Sequence, residues 1–135
     1  MWYHYTLKVP ANTLDTEPEW KDIELTHGII VYCAVVHPRG CKAMVETRIY
    51  RFNHQIFPNN SDEAAKGDGV VEGGELHYPL LEPPYTLRLR GISPGTSHPH
   101  NIPVHFNVLP LEVAEPWRHE PPLLTRIARL LGAGR

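Results

Sequence analysis

Short runs of alternating apolar and polar residues, broken repeatedly by proline or glycine, set the narrowest limit on how this chain can fold. Trp2 to Val9 places Tyr3, Tyr5, Leu7 and Val9 on one side and Trp2, His4, Thr6 and Lys8 on the other. A period of two, with aromatic and β-branched residues, is the signature of a strand with one buried face. The 14 prolines and 10 glycines are scattered between such runs rather than gathered in one linker. That spacing predicts many turns and few long helices.

The pattern recurs along the chain. Trp20, Asp22, Glu24 and Thr26 alternate with Lys21, Ile23, Leu25 and His27. Ile29 to Val36 is a continuous β-branched run and reads as a central strand buried on both faces. Val45, Thr47, Ile49 and Arg51 oppose Met44, Glu46, Arg48, Tyr50 and Phe52, and Asn53-His54 is placed to turn the chain into Gln55–Phe57. Val70-Val71 reads as a short strand, Glu72-Gly73-Gly74 as a turn, and Leu76 to Leu81 as a further extended piece. Tyr85 to Arg90 sends Leu87 and Leu89 one way and Arg88 and Arg90 the other. Ile102 to Leu109 alternates again, with Pro103 pointing to an edge strand or a strand start.

These short strands, with no helical pattern between them, predict an all-β, antiparallel β-sandwich of jelly-roll-like form and argue against βαβ units. Val31, Cys33, Val35, Ile49, Leu87, Leu89, Val104 and Phe106 are its expected core.

The chain has 135 residues, the size of a single domain. Residues 1–110 form the expected sandwich domain. Residues 111–135 form a proline-rich arm, extended to about Pro122, and a short amphipathic helix from Leu123 to Leu131. Leu123, Leu124, Ile127, Leu130 and Leu131 share one face of that helix and are the expected partner-contact residues. A helix this short is marginal alone in water, so its stripe must be covered. Packing on its own domain and docking on a neighbouring subunit both satisfy that need.

A formal net charge of -2 gives no global pull toward nucleic acid or an anionic membrane. No apolar run is long enough to span a bilayer, and no basic-then-apolar leader is seen at the N-terminus. The expectation is a cytoplasmic product, or one carried inside a particle. Cys33 and Cys41 read as reduced thiols, with a disulfide across the Pro38-Arg39-Gly40 turn as the alternative.

His98-Pro99-His100 with His105 is the densest histidine group and invites a cupin-like metal site. The acidic ligand such a site needs is missing, since Asn101 to Val104 offer no carboxylate, and no metal or cofactor is expected. The nucleophile, phosphate-loop and dinucleotide patterns are absent. Asp62-Glu63, Asp68 and Glu72 read as loop carboxylates, with Asp68-Gly69 as a turn. Trp2, Tyr3, Trp20 and Tyr78 could form a sugar-stacking platform, although such aromatics are more often core or subunit-interface residues.

Val9-Pro10-Ala11-Asn12-Thr13, Leu25-Thr26-His27-Gly28-Ile29, Pro38-Arg39-Gly40-Cys41 and Phe106-Asn107-Val108-Leu109-Pro110 carry a resemblance. Together they resemble small structural proteins of tailed and thermophilic viruses, β-sandwich or jelly-roll subunits that decorate or complete a shell. The resemblance implies a non-enzymatic structural subunit of a virion or capsid-associated assembly. Its implied partners are further copies of itself and a larger protein shell. The alternative is a ligand-binding β-sandwich, most plausibly for carbohydrate, and a metal-dependent cupin-like enzyme comes third.

Overall fold

The structure is a computed structural model and describes residues 1–119. The alternating runs become eight strands: β1 (Trp2–Val9), β2 (Glu19–Glu24), β3 (Gly28–His37), β4 (Glu46–Arg51), β5 (His54–Phe57), β6 (Val70–Leu80), β7 (Thr86–Ile92) and β8 (His100–Leu109). They form two four-stranded antiparallel sheets, ordered β1-β8-β3-β6 and β2-β7-β4-β5. Each of the first four strands therefore pairs with its mirror counterpart from the second half: β1 with β8, β2 with β7, β3 with β6, β4 with β5. A long hairpin wrapped in this way is a jelly roll.

Leu7, Val9, Ile23, Cys33, Val35, Ile49, Leu80, Leu87, Leu89, Ile102, Val104 and Phe106 fill the space between the sheets. Every expected core residue except Val31 lies there. Val31 is half-buried, because the register of β3 slips between Ile30 and Tyr32. A bulge adds one residue and reverses the alternation beyond it, so Ile30 and Cys33 point inward with two residues between them. For the same reason β3 is not buried on both faces throughout: Val31, Tyr32 and Val36 are half-exposed.

The stretch Val70 to Leu80 is one strand, not two pieces around a turn. Gly73 sits at φ 150° with its Cα against the Cys33 carbonyl and the Ala34 backbone. A Cβ there would collide with β3, so the glycine permits close strand approach where the sequence suggests a reversal. The hairpin after β4 turns at Phe52-Asn53, one residue earlier than expected, with Phe52 at φ 55°. Strand β8 is interior rather than an edge. Pro103 nevertheless lies where β1 alone flanks it, because the β3 ladder ends at Val104.

The arm begins with two short helical turns, α1 (Leu111–Ala114) and a 3-10 turn (Pro116–His119), rather than running extended from Leu111. α1 packs back on β3. The expected helix from Leu123 to Leu131, with contact residues Leu123, Leu124, Ile127, Leu130 and Leu131, lies outside the described residues. No helix among the described residues is long and apolar enough to cross a membrane.

Candidate functional site

The side chains with chemical potential sort onto the two outer faces and the loop end of the sandwich. His98, His100 and His105 do not converge. His100 and His105 are five residues apart on one strand, so they face opposite ways. His100 is buried, with Nε2 3.3 Å from the Gly40 carbonyl oxygen, and its ring lies tilted against that of His98, 4.6 Å between centroids. His105 faces out and touches His4 through their Nδ1 atoms. Burial first, then the neighbouring His4, pulls His105 below the usual histidine range. Among the described residues, no three His, Cys, Asp or Glu side chains group as metal ligands.

Cys33 and Cys41 are both buried free thiols, and burial pushes Cys33 up to about 12. Asp68 is a structural acid: its Oδ1 accepts from the backbone N–H of Gly40 at 2.8 Å and of Lys42 at 3.2 Å. Those two hydrogen bonds hold its carboxyl below the usual range and tie the loop after β3 to the loop before β6.

The four aromatics considered as a sugar platform also separate. Tyr3 and Tyr78 pack against the core. Trp2 and Trp20 stand on opposite outer faces.

On the first sheet, strand register aligns Trp2, Asn107, Tyr32 and Glu75 in one row, and His4, His105, Ala34 and Gly73 in the next. Thr6 beside Pro103 and Val36 beside Val71 continue the face. Of these residues Glu75 carries a formal charge at neutral pH, and Lys8, the next outward residue of β1 beside Asn101, adds the second at the end of the face. Trp2 lies edge-on to Tyr32 at 5.3 Å, and a hollow of about 340 Å³ opens between them and Asn107. Trp2 is 55% exposed and Val71 62%.

The second sheet has the opposite character. Trp20, Arg90 and Arg48 form one cross-strand row, and Asp22, Arg88 and Tyr50 the next. Arg88 stacks on the Trp20 ring at 4.2 Å, and Tyr50 lies 5.6 Å from it. Arg88 pairs with Asp22 at 3.1 Å, and Arg90 pairs with Asp15. A hollow of about 420 Å³ lies over the three arginines. Sequence alternation sends Arg48, Arg88 and Arg90 outward, but only the strand order β2-β7-β4 brings them together.

A third concavity, about 750 Å³, separates the free edges of β5 and β6. It is lined by the Pro58–Asn60 loop and the Val71–Leu76 stretch.

These features define the chain as a single-jelly-roll β-sandwich with one sparsely charged and one arginine-rich outer face. No protein-family model, curated protein or solved structure matches it.

Proposed function

We propose that the chain is a non-enzymatic structural subunit of a larger protein assembly, a virion or capsid-associated subunit that acts through protein–protein contacts. The observation that carries this reading is the outer face of the first sheet. A solvated sheet face ordinarily bears charged side chains. Here Trp2, Tyr32, Val36, Val71, Gly73 and Pro103 share a face whose strand residues carry two formal charges, Glu75 and Lys8. Sparsely charged and aromatic-rimmed, it has the composition of an interface core. Gly73 is exposed on this face and carries no side chain, which leaves room for a partner's sheet or helix beside it, while Ala34 is covered by its neighbours.

The sugar-binding alternative draws less support. The Trp20 ring, which a pyranose would need, is already stacked by Arg88.

The assembly reading is tested by the molar mass of the full chain in solution. A defined oligomer is expected, and a strict monomer across micromolar concentrations contradicts self-assembly.

A further inference from the structure

We infer that the arginine hollow on the second sheet is a docking site for the carboxylates of an acidic protein segment, contributed by a neighbouring component of the assembly. The inference rests on the assembly reading for the source of that segment, and on three observations for its chemistry.

First, Arg48 stands directly opposite Arg90 in the β4·β7 register. Like charges in directly opposed cross-strand positions are destabilising. Second, the acids answer Arg88 and Arg90 but not Arg48. Asp22 pairs with Arg88 and Asp15 with Arg90, whereas among the described residues no carboxylate pairs with Arg48. Its Nε donates to the Glu63 backbone carbonyl at 3.3 Å, which fixes the side chain. Buried Gln55 holds the same loop through the carbonyls of Pro58, Asn60 and Glu63, so the wall beside Arg48 is built, not incidental.

Third, the guanidiniums are positioned before any ligand arrives. Arg88 lies over Trp20, and the Arg90 side chain is only 12% exposed while its partner Asp15 is 76% exposed. Asp15 shows that a carboxylate fits this fork, and it sits on the solvent side, where a competing carboxylate can displace it. Arg90, and more remotely Arg48, hold the Asp15 carboxyl below its usual range, so both charges reach the same point. Planar guanidinium forks favour carboxylates by bidentate hydrogen bonding. Arg88 already occupies one face of the Trp20 ring, and Phe52 is the exposed aromatic at the rim of the hollow.

The probe is a hexaglutamate peptide titrated calorimetrically into the full chain at low ionic strength. Saturable binding is expected, weakened by salt and weakened at least about tenfold in Arg48→Gln. Arg39→Gln, which removes an exposed arginine outside the hollow, is expected to bind as the parent does. Arg48→Gln relieves the Arg48–Arg90 opposition, so it should melt no lower than the parent, which separates lost binding from lost fold. Parent-like binding by Arg48→Gln overturns the site. Tighter binding of a polyuronate or an oligonucleotide of equal charge overturns its assignment to a protein segment. Light scattering on the same samples reads assembly separately. A monomer that binds hexaglutamate contradicts the assembly reading and supports the site, and an oligomer that does not bind it overturns the site alone.

Discussion

Oε1 of Glu115 lies 2.5 Å from Nε2 of His77, joining the segment that leaves the sandwich to the middle of β6. Glu115 is buried at 4% exposure. With α1 packed on β3, this contact seats residues 111–115 over the end of the first sheet where Ile29 is fully buried. The rows from Trp2 to Val71 are left open beside it. The point from which the chain continues toward residue 135 is therefore set by the fold.

His77→Ala should loosen that segment and spare the sandwich, since His77 is half-exposed and contributes little to the core. Limited chymotrypsin digestion checks it. Cleavage within residues 111–119 should accelerate while the strands stay resistant. Unchanged cleavage would mean that packing of α1 on β3 holds the segment without the His77–Glu115 hydrogen bond.

Gly73 and Gly74 form a matched comparison. Both sit near φ 150°, but a Cβ at Gly73 meets the β3 backbone while one at Gly74 meets nothing within 4 Å. Gly74→Ala should cost about 1–2 kcal/mol from backbone strain alone. Gly73→Ala should cost more, because β3 or β6 must shift as well. Urea unfolding of the two variants settles the order, and equal costs would remove the close-approach argument.

Phe106 and Val31 separate the core from the bulge. Phe106→Ala should cost about 3–5 kcal/mol as a fully buried aromatic. Val31→Ala should cost well below the few kcal/mol of a buried large-to-small change, since Val31 is half-buried. A Phe106→Ala loss under about 1 kcal/mol, or a larger loss at Val31, would contradict the register of β3 and β8.

His37 makes stability depend on pH. It is buried, with Nε2 3.2 Å from the Thr47 hydroxyl, and burial pulls it below its ordinary value of 6.5. In acid the unfolded chain takes up this proton first. Its contribution is therefore fully present above pH 6.5 and is lost as pH falls through the depressed folded value. His105 shifts in the same direction. Asp15 and Asp68 add losses in the more acidic carboxylate range. One such histidine gives a slope no steeper than about 1.4 kcal/mol per pH unit. His37→Gln, which can keep the Thr47 hydrogen bond, should flatten the profile between pH 6.5 and 5. A profile identical to the parent's would show that His37 does not titrate on unfolding.

The strands that alternate cleanly were legible from the chain alone. Tyr3 to Val9, Thr47 with Ile49, Leu87 with Leu89 and Val104 with Phe106 point inward as their period demands. Legibility ended where a local signal had a nonlocal cause. The glycines at 73 and 74 look like a turn because the reason for Gly73, the nearby β3 backbone, is 40 residues away in sequence. The bulge at Val31 leaves no mark in a run where every residue is apolar. The arginine hollow depends on the order β2-β7-β4, and no pattern within one strand reports its neighbours. The separation of His100 from His105 was readable, since an odd spacing on a strand places two side chains on opposite faces.

The most direct measurement of the central claim is light scattering on the full chain beside Val71→Glu. Val71 is 62% exposed on the first sheet's sparsely charged outer face, so the substitution should leave the sandwich folded. A parent that runs as a defined oligomer and a Val71→Glu variant that dissociates toward monomer is the predicted result. A parent that stays monomeric, with the same mass as the variant, would contradict it.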